Sequence, residues 1–249
     1  MWVSLAAALA LALAAREPAF TVVIDPGHGG EQKGALAPDG VREKDLSLAI
    51  SRRVAARLKR LGAKVVLTRT GDISVPLANR AAIATAIRAD LFVSVHLNSM
   101  PTPAQRRHSR GVETYFLSAD ATDLHAKAVA ARENADRLAG EAEPDPNDPV
   151  AGILDDLQDA ASLQGSSKLA YAIHGKLVER LHAEDRGVKQ APFYVLAGAR
   201  MPAVLLEVGF ISHGEETKKL RSREYQDRIA EAVAEGIRAF RAETMRASR

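Results

Sequence analysis

Short apolar runs rich in valine and isoleucine recur along this chain, and segments of helical period lie between them. Runs of this kind read as strands buried on both faces of a parallel sheet. Strand readings fall at Thr21 to Asp25, Lys64 to Thr68, Leu91 to Val95, Gly111 to Leu117, Pro192 to Leu196 and Ala203 to Glu207. From about Glu43 to Leu61, the residues Leu46, Ile50, Val54, Leu58 and Leu61 share one helical face, and Gly62 follows as a C-cap. Pro76 to Ala89 reads as a second helix, Ala121 to Ala139 as a third, and Glu224 to Arg241 as a closing one. Alternation of this kind predicts an α/β fold: a single domain with a central, mostly parallel six-stranded sheet flanked by helices.

Three of these strands carry chemistry where an open α/β sheet exposes it, at or near their carboxyl ends. Asp25-Pro26-Gly27-His28-Gly29-Gly30 breaks the first strand and sets an imidazole among glycines, which remove the β-carbons that would crowd it. Leu91-Phe92-Val93-Ser94-Val95-His96 ends a second apolar run in another imidazole. Glu43 lies between them at a helix start, where the helix dipole alone would favour a carboxylate. Glu207 interrupts the apolar run Ala203-Val204-Leu205-Leu206, and a buried acid is paired, metal-associated or catalytic. Two histidines and two glutamates so placed make a zinc hydrolase the economical explanation, since zinc takes imidazole nitrogen and carboxylate oxygen. A salt-bridged structural role for Glu207 stays open at this point.

Four segments together resemble one family. Asp25 to Gly30, Arg42-Glu43-Lys44-Asp45, Ser94 to Ser99 and Leu206 to Ser212 are similar to the zinc-dependent N-acetylmuramoyl-L-alanine amidases of the amidase_3 group, which includes cell-division amidases. The likeness runs in order from about Thr21 to Phe240. It implies that His28, Glu43 and His96 hold Zn²⁺ and that Glu207 is the catalytic acid/base. It implies hydrolysis of the bond between N-acetylmuramic acid and L-alanine in peptidoglycan, for wall remodelling and daughter-cell separation. A zinc peptidase acting on wall peptides and a non-catalytic peptidoglycan-binding module are the alternatives. Glu31 and His213 depart from the family pattern, which has Asp and Asn there.

The segment from about 133 to 165 is longer than a tight crossover needs. It includes Glu141-Ala142-Glu143-Pro144-Asp145-Pro146-Asn147-Asp148-Pro149, where three prolines among acids stop a helix. The resemblance implies a regulatory insertion here, lying across the zinc and displaced by a LytM-type activator. Glu133 and Asp136 are the candidate carboxylates to cap the metal. Low activity of the isolated protein, through autoinhibition, is the corresponding expectation.

Val3 to Ala15 is an almost unbroken Ala/Leu run ending at Arg16-Glu17-Pro18. It is shorter than the roughly 20 apolar residues of a membrane span. With Ala12-Leu13-Ala14 as a small-x-small site, residues 1–15 read as a signal peptide, although no Lys or Arg precedes the run. Residues 20–245 form the catalytic domain in this reading. The protein is thus expected to be exported to the periplasm or cell envelope, as a monomer without a stable membrane span. The chain has no cysteine, so disulfides and thiolate metal sites are excluded. A net charge of +3 with no long basic helix excludes nucleic acid as an expected partner. His125, His174 and His182 lack a second ligand at helical spacing and read as structural. His108, in Arg106-Arg107-His108-Ser109-Arg110, belongs to a basic loop that could meet wall-peptide carboxylates.

Overall fold

The computed structural model describes residues 20–136 and 160–247. The expected signal peptide and the centre of the expected insertion lie outside these residues. Six strands form one sheet in the order β2-β1-β3-β6-β4-β5. They are β1 (Thr21–Pro26), β2 (Lys64–Leu67), β3 (Leu91–Asn98), β4 (Val112–Leu117), β5 (Asp185–Ala191) and β6 (Ala203–Phe210). Every pairing is parallel except β4 with β6, so the sheet is mixed and mostly parallel, as the alternation of elements predicts.

The helices are α1 (Glu43–Arg60), α2 (Leu77–Ala86), α3 (Pro103–His108), α4 (Leu124–Asn134), α5 (Ala160–Leu181), α6 (Gly214–Arg221) and α7 (Arg223–Ala247). Strand side chains alternate between faces. Val22, Ile24, Val93, Val95, Val204 and Leu206 meet α1, α5 and α7 on one side. Val23, Phe92, Tyr115 and Leu205 meet α2 and α4 on the other. The same alternation carries Ser94, His96, Glu113 and Glu207 to the α2/α4 face. Strand parity therefore decides which side chains face α2 and α4.

Two local readings change. The last strand before β6 is Asp185–Ala191, not Pro192 to Leu196; Tyr194–Leu196 is a 3₁₀ turn whose Val195 and Leu196 are buried. β5 pairs along one side only, with β4, so its partly exposed face accepts Arg186, Lys189 and Gln190 and shows no apolar run. The basic loop forms the short helix α3, opened by a capping box between Thr102 and Gln105 with Pro103 in the first turn.

Candidate metal centre

His28, Glu43, His96 and Glu133 converge at the carboxyl end of β1 and β3, and one donor atom from each lies within 4.8 Å of the others. His28 Nε2 is 2.9 Å from Glu43 Oε1 and 3.4 Å from Glu133 Oε2. His96 Nδ1 is 3.2 Å from Glu43 Oε1 and 3.0 Å from Glu133 Oε2. All four side chains are buried.

Backbone conformation explains how an imidazole reaches this point. β1 ends at Pro26, and His28 then adopts φ 60, a left-handed conformation rare outside glycine. The turn is held from below by two buried guanidinium groups. Arg80 donates to Pro26 O, His28 O and the Asp25 carboxylate, while Arg69 donates to Pro26 O and Gly27 O. A β-carbon at Gly27 would stand 2.5 Å from the His96 ring, so the two histidines can approach only across a glycine. Glu43 is oriented by backbone N–H groups: Leu97 donates to Oε1 and Ala35 to Oε2. Asp136 Oδ2 lies 2.6 Å from His28 Nδ1 and so sets which imidazole nitrogen faces the cluster. Of the two carboxylates considered as caps, Glu133 enters the donor ring, whereas Asp136 stands behind His28.

Burial works against a charged imidazole, but Glu43 and Asp136 raise the pKa of His28 well above 6.5. For His96 burial is again opposed, here by Glu133 and Glu43, and the value rises to about 9. His28 Nε2, His96 Nδ1 and Glu133 Oε2 nevertheless have no aligned hydrogen-bond partner among the described residues. Buried polar atoms are rarely left so. Donors bound at about 2.0–2.1 Å to a tetrahedral zinc stand about 3.3 Å apart. The four imidazole–carboxylate separations, 2.9 to 3.4 Å, match that spacing, and two imidazoles with carboxylates suit the ion. The donor set fits zinc.

Glu207 stands beside this ring. It is the register partner of His96 across β3 and β6, and of Glu113 across β6 and β4. The carboxyl is fully buried, and burial with Glu133 nearby raises its pKa well above the usual carboxylate range, against the opposing effect of Arg132. Its Oε2 has no partner among the described residues, and Oε1 lies 3.5 Å from Arg132 Nη2.

A cleft of about 1100 Å³ opens over His28, Glu43 and Glu133, walled further by Lys33, Arg106 and Arg132. From the basic segment it is Arg106, not His108, that lines the cleft. Sequence reasoning missed Arg132, Asn98 and Glu113, because their roles follow from contacts between a helix and strands that lie far apart in the chain. Of the other histidines, His125 pairs with Glu113, His174 contacts Thr114 and Asp185, and the exposed His182 follows α5 at φ 48. His213 caps α6 by accepting from Glu216 N, a task its departure from Asn leaves intact.

An α/β sheet with a buried His/Glu ring at its carboxyl edge defines the class: a domain built to hold a catalytic divalent metal. A family model described as Amidase_3, N-acetylmuramoyl-L-alanine amidase, matches residues 22–239. The uncharacterized protein YqiI of Bacillus subtilis is 38% identical, over 96% of this chain and 97% of that protein. The N-acetylmuramoyl-L-alanine amidase AmiA of Escherichia coli is 36% identical over 88% of this chain and 75% of its own length. AmiC of Escherichia coli, also 36% identical, is matched over 91% of this chain but only 54% of its own length, so the chain spans about half of that relative. Among solved structures, AmiC2 of Nostoc punctiforme superposes with a TM-score of 0.66 at 32% identity, covering 89% of this chain and 96% of that one. The chain belongs to the Amidase_3 family of N-acetylmuramoyl-L-alanine amidases, hydrolases of the zinc type.

Proposed function

We propose that the protein hydrolyses the amide between N-acetylmuramic acid and L-alanine of peptidoglycan, with His28, Glu43 and His96 holding Zn²⁺ and Glu207 moving the proton. The observation that carries this reading is the buried donor ring with a fourth carboxylate, Glu207, beside His96 on the neighbouring strand. When bound, the ion supplies Lewis acidity toward the scissile carbonyl and toward water near neutral pH. Glu207 takes one proton from the attacking water as its oxygen bonds to the carbonyl carbon. The same carboxyl then delivers that proton to the nitrogen as the C–N bond breaks, leaving an amine and a carboxylic acid whose remaining proton passes to the amine or to solvent. Burial and the nearby Glu133 raise the Glu207 carboxyl above the ordinary carboxylate range, which favours its releasing a proton to the nitrogen as well as taking one from water. Peptidoglycan as substrate implies action outside the cytoplasm, and wall remodelling with daughter-cell separation is the corresponding cellular role.

Glu133 supports a further element of this reading: the isolated protein is autoinhibited. Its Oε2 fills the fourth corner of the donor ring, where a catalytic zinc site keeps room for water or substrate. Glu133 and Arg132 sit at the end of α4, at the entry to the expected insertion, so displacement of this segment by a LytM-type partner opens the site.

The test combines metal content with product analysis on purified sacculi. The wild type is expected to release stem peptides with a free L-alanine amine from intact glycan. Glu207→Gln is expected to bind zinc normally and lose nearly all turnover, by about 10² to 10⁴ or more. Cleavage within the stem peptide, or a fully active Glu207→Gln enzyme, would falsify the reading.

A further inference from the structure

We propose that Asn98 is a catalytic residue of this hydrolysis: its side-chain oxygen accepts the N–H of the scissile amide, and Glu113 holds the Asn98 side chain in the orientation that makes this possible. The proposal rests on the amidase reading above.

Asn98 is fully buried near the end of β3, two residues past His96. Its Nδ2 donates to Glu113 Oε2 at 2.6 Å. Glu113 is itself fully buried and also accepts from Tyr115 Oη at 2.8 Å and Arg186 Nε at 2.7 Å, with His125 Nε2 at 2.9 Å. An ionised carboxylate only accepts, so the amide nitrogen must face it, and the reversed orientation would oppose two oxygens. Asn98 Oδ1 is thereby turned toward the site, where it accepts from Ser99 N at 2.7 Å and from Arg132 Nη2 at 3.1 Å.

That last nitrogen carries the inference. Arg132 Nη2 is held jointly by Asn98 Oδ1 at 3.1 Å and Glu207 Oε1 at 3.5 Å. The site therefore defines one position at which a nitrogen bearing two hydrogens meets an amide oxygen and the proton-carrying carboxyl together. The leaving nitrogen of a hydrolysed secondary amide has this character. It starts with one N–H and acquires a second hydrogen from Glu207 as the C–N bond breaks. On the autoinhibited reading proposed above, Arg132 belongs to the segment whose displacement opens the site, so its terminal nitrogen stands in for the departing amine. An N–H fixed on Asn98 Oδ1 directs the developing lone pair of the same nitrogen toward Glu207, where it is protonated. The bond strengthens once Glu207 begins to protonate the nitrogen and it takes on ammonium character, so it acts on turnover more than on binding.

A pair of synthetic muramoyl dipeptides tests this, one with L-alanine and one with N-methyl-L-alanine at the scissile bond. The second has no N–H to give. The wild type is expected to cleave the N-methyl substrate with kcat about 10²-fold lower, and Asn98→Ala to lose a similar factor on the ordinary substrate while keeping its zinc. In Asn98→Ala the preference for the N–H substrate should fall toward unity. A preference unchanged by Asn98→Ala overturns the proposal. So does a wild type that turns over both substrates equally, a result that needs no folded variant. A zinc-loaded protein that cleaves neither dipeptide and frees no stem peptide from sacculi, both as wild type and with residues 133–165 removed, overturns the amidase reading itself, and the proposal with it.

Discussion

A β-carbon placed on Gly34 would stand 2.5 Å from Cδ2 of His28. The same position lies 2.7 Å from Glu43 Oε2 and from His28 Nε2, the donor atom itself, and the backbone at Gly34 has φ +65. Gly34 is therefore a wall of the metal site that only hydrogen can form. Gly34→Ala should push His28 off the donor ring and weaken zinc binding by about 10- to 100-fold, the range typical of disturbed ligand support. Zinc titration against a competing chelator measures this, and an unchanged affinity would show that the loop 29–42 can move aside freely.

Glu133 Oε2 lies 3.4 Å from His28 Nε2 and 3.0 Å from His96 Nδ1, and in the autoinhibited reading proposed above it takes a corner that substrate needs. Glu133→Ala, or removal of residues 133–165, should raise the rate of wall hydrolysis on the order of tenfold, because a larger fraction of molecules is competent to bind. Zinc affinity of Glu133→Ala should fall, since one donor is lost. Dye release from labelled sacculi, measured beside zinc content, tests both parts; a folded, metal-loaded variant no faster than wild type counts against autoinhibition.

Arg80 is buried, and it meets Asp25 at 3.0 Å beneath the His28 turn. Its Nη2 also holds His28 O at 3.0 Å. Arg80→Met leaves the Asp25 charge buried without its ionic partner, which should cost about 3–5 kcal/mol of stability. Urea unfolding gives the magnitude. A loss below about 1 kcal/mol would mean that Thr68 and Ser94, which also donate to Asp25, satisfy it alone.

Glu113 predicts an acid-dependent component of stability. Burial raises its carboxyl, but His125, Arg186 and Tyr115 outweigh that and hold it at about 2, below an ordinary 4.5. A depressed folded-state pKa stabilises above the unfolded value, and that stabilisation is lost as pH falls toward about 2. The shift corresponds to roughly 3 kcal/mol at neutral pH. Glu113→Gln should therefore be less stable than wild type at pH 7, with the gap closing between about pH 5 and pH 2. Urea midpoints across that range check it, and a gap independent of pH would assign the loss to packing instead.

Much of the site was legible before any coordinates, for a physical reason. His28 and His96 end apolar strands, and Glu207 breaks one, so each sits where local pattern and burial conflict. Such conflicts are visible in a single segment. Strand and helix period likewise disclosed the sheet, because β1, β3 and β6 are buried on both faces and therefore mostly apolar. β5 was not legible, since pairing with β4 along one side and partial exposure remove the apolar signal.

From its sequence alone the chain had already settled its α/β architecture, the residue types able to hold zinc, and the acid set among them. Tertiary structure alone decided which acid completes the ring, turning Asp136 onto the back of His28 and Glu133 into the fourth corner. It alone linked Asn98 to Glu113 and Arg132 to Glu207. Periodicity reports how each residue meets the solvent or core, which is local. Strand order and register bring Glu113, Glu207 and His96 into one row across three strands, and that depends on pairings between segments far apart in the chain.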